Sequence, residues 1–198
     1  MHESQPIVNI VGEKITLGPL SKDVLPAITR WINDFHAQRT LSPGLLTGPM
    51  TLENEEEWYA SATSRRAGVT FLIRERSSHL PVGTTSLHAI DHRNRATTFG
   101  ILIGEHTARG QGYGTEAASL MLDYAFNALA LHSVSLSVAE FNLAGRSAYR
   151  NAGFRECGRL RERLWLAGKM WDEIHMDCLA SEFMSPVLAE VFAPDMAR

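Results

Sequence analysis

The chain has 198 residues, 44% hydrophobic and 21% charged, with a net charge of −3 and a pI near 6.2. That is enough for one sizeable core and hardly enough for two. The charge balance excludes a general nucleic-acid footprint, and no run approaches the roughly 20 apolar residues of a membrane span. The start, Met1 to Pro6, has no basic stretch followed by an apolar run, so no secretory signal is read. Cys157 and Cys178 are too far apart for a zinc motif or a disulfide framework and read as reduced, buried thiols. A soluble cytoplasmic protein is expected, without metal, nucleic-acid or membrane partners. The oligomeric state is open, with a homodimer as one option.

In chain order, residues 8–17 read as a hairpin turning at Gly12-Glu13. Across 23–35, Val24, Leu25, Ile28, Trp31, Ile32 and Phe35 recur at helical spacing. Residues 41–49 form a loop rich in glycine and proline. Thr51, followed by Glu53 and Glu55 to Glu57, reads as a helix start whose glutamates are solvated. Residues 69–74, 81–90 and 97–103 read as neighbouring antiparallel strands, with a polar turn at 91–95.

Arg109-Gly110-Gln111-Gly112-Tyr113-Gly114 then makes a glycine-rich turn, and a helix follows over 115–129. Residues 132–139 alternate Val134, Leu136 and Val138 with serines, as a strand does. Asn142 suits an N-cap and Gly153 the left-handed position after a helix over 142–152. Within it Ala144, Ala148 and Ala152 form a face small enough to pack on a sheet. Strands at 155–166 and 170–179 follow; alternation puts Arg159, Arg161 and Arg163 on one solvated face. The segment 187–192 reads either as a terminal helix or as a partner contact. The whole is a single mixed α+β domain over 1–180 with a tail at 181–198.

A glycine-rich turn between a strand and a helix aims unpaired backbone N–H groups at one point, where the helix dipole also favours an anion. A dinucleotide fingerprint needs glycine at 115, where Thr115 stands; a P-loop needs Gly-Lys-Ser/Thr, which is absent. What remains is another phosphate ligand, or a bare turn.

Arg109-x-x-Gly112-x-Gly114 resembles the pyrophosphate motif of the GNAT superfamily of N-acetyltransferases. The segment 141–154, FNLAGRSAYRNAGF, resembles that family's N-x-x-A-x-x-x-Y-x-x-x-G-F helix. The hairpin before the turn and the segments at 30–34 and 51–58 look like the branch that acetylates ribosomal-protein N-termini. The resemblance implies a mostly antiparallel mixed sheet, flanked by helices and splayed between the strands at 98–104 and 133–139. It implies acetyl-CoA as co-substrate, its diphosphate on Arg109, Gly110, Gln111, Gly112, Tyr113, Gly114 and Thr115, and its pantetheine along Leu102 and Ile103 and on Asn142. Tyr149 would donate to the coenzyme sulfur as the thiolate leaves, and Arg146 would reach the phosphate end. The expected acceptor is a protein N-terminal amine, with a small-molecule amine or a non-catalytic acyl-CoA-binding module as alternatives. Asp34, Glu53, Glu55, Glu56, Glu57, His88 and His106 are candidate bases, none with a diagnostic spacing.

Overall fold

The computed structural model describes residues 6–41, 48–64 and 68–195. Most of the loop expected at 41–49 lies outside them. The strands are β1 (Ile10–Val11), β2 (Ile15–Pro19), β3 (Val69–Glu75), β4 (Pro81–Asp91), β5 (Ala96–Ile103), β6 (Ser133–Ala139), β7 (Arg155–Leu166) and β8 (Lys169–Leu179). They form one sheet in the order β1-β2-β3-β4-β5-β6-β8-β7. Every neighbouring pair is antiparallel except β5–β6.

The two faces are covered unequally. On one, Leu87, Phe99, Val134, Leu136, Ile174 and Met176 pack under α4 (Tyr113–Asp123) and α5 (Leu143–Ala152) in the main core. On the other, α1 (Leu25–Ile32) and α3 (Leu52–Ala62) enclose a smaller core of Leu20, Leu25, Ile28, Trp31 and Leu72, with Leu102 at its margin. That second cover reaches no further than β5. Beyond it Ser135 and Ser137 of β6 stand exposed, which accounts for the valine/serine alternation.

The helix expected over 23–35 is in fact three pieces: a 3-10 turn at Lys22–Val24, α1, and a short α2 (Phe35–Gln38). Polar side chains make the break by satisfying backbone groups locally. Asn33 donates Nδ2–H to the Thr29 and Met50 carbonyls at 2.8 Å, and Asp34 caps α2 by accepting the His36 amide at 2.9 Å. Phe35 is consequently 77% exposed rather than in the core. Thr51 and Asn54 close a capping box on α3. Glu55 is not solvated as expected: it is 4% exposed, and burial raises its carboxyl pKa.

The long helix expected over 115–129 starts at Tyr113 and passes after Asp123 into a π-helical turn, Tyr124–Ala128. The fully buried Asp123 anchors the C-terminal segment. Its carboxylate accepts the Ser185 hydroxyl and the amides of Val187 (2.9 Å) and Leu188 (2.8 Å), which sets α6 (Leu188–Val191) against the π turn. The apolar stretch at 187–192 is thus a docked helix. The three arginines of β7 do not share a face through simple alternation. The register slips between Leu160 and Leu164, with Glu162 at φ 51, and Arg159 is tied to Asp172 (3.1 Å) and Glu156 (2.8 Å). Cys178 is buried, its thiol pushed up to about 11 by desolvation, whereas Cys157 is exposed on β7.

Candidate active site

β5 and β6 pair only at Ala96–Ser133, Thr97–Val134 and Thr98–Ser135. Beyond these, β5 continues against β4 as far as Ile103, and β6 against β8 as far as Ala139. The two strands therefore diverge, and a cavity of about 810 Å³ lies where they part. β5 contributes Ile101, Leu102 and Ile103 to its wall, α5 contributes Asn142 to Gly145 and Ser147 to Tyr149, and α2 with its flank contributes His36, Arg39 and Thr40.

The turn that leads into α4 closes one end. Gly110 and Gly112 sit at φ +77 and +87, conformations that side chains beyond glycine adopt at a cost. With the backbone wound this way, the amides of residues 110–115 donate to no acceptor among the described residues. They converge with the N-terminus of α4 into an anion-binding nest. Gly110, Gly112, Gly114 and Thr115 line the cavity; Gln111 and Tyr113 face away from it, beside Lys14 and Glu75. Lys14 Nζ donates to the Gln111 carbonyl at 3.1 Å and adds positive charge behind the turn. Lying about a hundred residues away in sequence, it gave no signal there.

Arg109 also lines the cavity, and its side chain is committed to acceptors beside the nest. Its Nε donates to the Ile103 carbonyl at 3.2 Å, and its Nη2 to the Gly104 carbonyl (3.2 Å) and Asp34 Oδ2 (3.0 Å). Asp34 has its pKa lowered, first by the His36 amide and then by Arg109. The Gly104 N–H bonds to the Val82 carbonyl, so strand alternation turns the Leu102 backbone toward β4 and those of Ile101 and Ile103 toward the gap. Of the expected pair, Ile103 turns its backbone to the gap and Leu102 lines the cavity with its backbone paired to β4, while Ile101, not expected, also faces the gap.

On α5, Asn142 caps the helix by accepting the Gly145 amide at 2.9 Å and lines the cavity, as does Tyr149. Arg146, expected at the phosphate end, donates to the Glu140 carbonyl at 3.3 Å and lies 3.7 Å from Glu156, and it does not line the cavity. The alanine face divides likewise: Ala144 and Ala148 line the cavity and only Ala152 is in the core. Tyr149 stands edge-on to Phe99 and Phe154, each 6.1 Å away between centroids. Its hydroxyl has no partner among the described residues, and desolvation pushes its pKa up to about 12.

The opposite face of the sheet is polar at the fork. Register aligns His88, Thr98, Ser135, Asp177 and Arg155 across five strands. The His88 ring lies over Gly100, where a Cβ would come within 3.5 Å of it, and desolvation lowers its pKa. Of the other candidate bases, Glu53 is exposed at the start of α3 and His106 is exposed before the turn.

A fork between parallel strands with an amide nest at one end and a free phenol beside it defines an enzyme that handles an acyl-coenzyme A thioester. The profile of the Acetyltransferase (GNAT) domain matches residues 14–155, and the chain belongs to that family. It is an acetyl-CoA-dependent N-acetyltransferase. It is 28% identical over 177 residues to the spermidine N(1)-acetyltransferase of Vibrio cholerae, covering 88% of this chain and 98% of that enzyme. The crystal structure of a Vibrio cholerae spermidine N-acetyltransferase in complex with CoA and spermine superposes with a TM-score of 0.75 at 26% identity, over 85% of this chain and 97% of that one. The alpha/beta-tubulin-N-acetyltransferase 9 of Drosophila melanogaster is 26% identical over 164 residues, 76% of this chain and 80% of that protein. The ribosomal-protein branch is not singled out. A Bacillus subtilis protein named for ribosomal acetylation is 32% identical but over 51% of this chain, whereas the polyamine enzyme is matched along nearly its whole length. No helix among the described residues is long and apolar enough to cross a membrane.

Proposed function

We propose that this enzyme acetylates a primary amine of a small polyamine, with the coenzyme diphosphate on the amides of 110–115 and the pantetheine in the fork between β5 and β6. The observation that carries the mechanism is the unpartnered Tyr149 hydroxyl in the cavity. The match to the spermidine enzyme over almost its full length favours the acceptor. Pantetheine amides would pair with the backbone of Ile101 and Ile103 and with the uncommitted Nδ2 of Asn142.

The acceptor amine enters from the polar face. Its nitrogen attacks the thioester carbonyl carbon, and an N–H turned into the fork stabilises the oxyanion, an effect worth about 2.7–4 kcal/mol in other acyl transfers. An alkylammonium near pKa 10.4 must first lose a proton, and we assign its removal to the His88 imidazole at the base of the fork. The nitrogen sheds its second proton to solvent, collapse breaks the C–S bond, and the Tyr149 hydroxyl donates a hydrogen bond to the departing thiolate.

A thiol-release assay with acetyl-CoA tests the acceptor. Spermidine and spermine should release coenzyme, and peptides should not. The likeness to a tubulin acetyltransferase favours a second reading, a protein amine; turnover of peptides but not polyamines would establish it and refute the first. Release with neither, together with no thermal shift by acetyl-CoA, would refute both.

A further inference from the structure

The arginine of the phosphate turn and a carboxylate far from it in sequence are built into one device. Arg30 and Asp34 are spaced four apart, as are Glu105 and Arg109, and the two pairs face each other with crossed charges. Arg30 Nη2 lies 2.6 Å from Glu105 Oε2, and Arg109 Nη2 lies 3.0 Å from Asp34 Oδ2. Between them Trp31 covers Gly104 so closely that a Cβ there would fall 2.2 Å from the indole. The same indole donates Nε1–H to Glu105 at 3.4 Å. The α1–α2 segment is thereby fastened to the stretch that joins β5 to the phosphate nest.

The two ion pairs are unequal. Arg30 is two-thirds exposed, and its pair is screened by water. Asp34 and Arg109 are each about 30% exposed, and both are committed on other sides as well. Asp34 caps α2, whose His36 and flanking Arg39 wall the cavity, while the Arg109 fork also spans the Ile103 and Gly104 carbonyls. An arginine held by a carboxylate and two carbonyls has its charge compensated and its planar fork occupied.

We infer that Asp34 is a positioning residue for the coenzyme, and that the Arg109 side chain acts as a strut holding the amide nest against the α2 wall rather than as a ligand of the diphosphate. This rests on acetyl-CoA being the co-substrate, as the family membership states.

Asp34→Asn separates the two roles of Arg109 by the sign of its effect. Asparagine keeps the cap on α2 and removes the charge. A strut that loses its anchor lets the nest drift: KM for acetyl-CoA and Kd for CoA should rise about fivefold, with kcat at saturating coenzyme within about twofold. A guanidinium that serves as phosphate ligand would be released by the same substitution, and CoA would bind more tightly. Arg109→Lys, which keeps the charge but cannot fork across three acceptors, should raise Kd as much as Arg109→Gln; preserved affinity in the lysine variant would overturn the strut. Because the two residues act as one unit, Asp34→Asn combined with Arg109→Gln should cost no more than either alone, and multiplied effects would also overturn it. Thermal unfolding of each variant checks that the fold is retained. Wild-type binding of acetyl-CoA is measured first: its absence would refute the coenzyme assignment, whereas a wrong sign in Asp34→Asn refutes the strut alone.

Discussion

Replacing Tyr149 with phenylalanine removes one oxygen and keeps the ring between Phe99 and Phe154. That oxygen has no protein partner among the described residues, so stability should change by no more than about 0.5 kcal/mol. The effect on turnover follows from the pKa. Desolvation pushes the phenol up to about 12, well above the ordinary thiol range, so it does not readily surrender its proton to the leaving thiolate. The hydroxyl is therefore better suited to stabilising the developing thiolate by a hydrogen bond than to acting as a full acid. Loss of one such donor costs about 10²- to 10³-fold in kcat, or about 2.7–4 kcal/mol. The assay is thiol release at saturating acceptor, paired with calorimetry of CoA binding. Coenzyme affinity should stay within about twofold, since the hydrogen bond forms only as the sulfur gains charge. Unchanged kcat, or a loss confined to coenzyme affinity, would refute this role for Tyr149.

Gly112→Ala forces a side chain into the left-handed region at φ +87 and places a Cβ 3.2 Å from Lys14 Nζ; since the lysine end can yield, the backbone term of about 1–2 kcal/mol should dominate, with CoA affinity falling on calorimetry. Asp123→Ala leaves the Val187 and Leu188 amides without their acceptor and should cost about 3 kcal/mol on urea unfolding, with limited proteolysis beginning near residue 185. Glu55→Gln should stabilise the protein at pH 7. Its folded pKa is raised, so the wild-type contribution is full below the unfolded value and lost as pH rises through the folded one, and the advantage of the variant should vanish in thermal melts near pH 4. By the same sign rule the wild type should lose stability above pH 10, where the unfolded tyrosine ionises and Tyr149 does not; Tyr149→Phe should lack that part of the decline.

What was legible in the sequence is what local chemistry determines. The hairpin, the Thr51 cap, the β6 alternation and the Asn142 and Gly153 ends of α5 each depend on residues within a few positions, and the structure has all of them. The glycine turn was legible because positive φ at 110 and 112 selects glycine wherever the chain goes afterwards. Several departures from the expected elements involve a partner distant in sequence. Asn33 breaks a helical period because Met50 is there to receive it. The period after Asp123 gains a residue where its carboxylate holds a segment some sixty positions on. Arg109 bonds Asp34, seventy-five positions before it, a contact that no local pattern announces.

The unequal cover of the sheet carries the argument to the acceptor. The proposed coenzyme half, made of the nest, the fork and α5, is built from backbone amides, small residues and one phenol, and on that proposal none of these reads the acceptor. The other half is the polar row from His88 to Arg155 on the opposite face of the sheet. Relatives named for spermidine and for tubulin can therefore share the first half while differing in the second, and a motif search weighted to the turn and α5 is blind to that difference. For this chain the row holds a single carboxylate, Asp177, register-paired with Arg155. A polyamine carries a second ammonium that needs an anion. If Asp177 supplies it, Asp177→Asn should raise KM for spermidine while leaving that for a monoamine of equal length unchanged; an equal rise for both would place the second ammonium elsewhere.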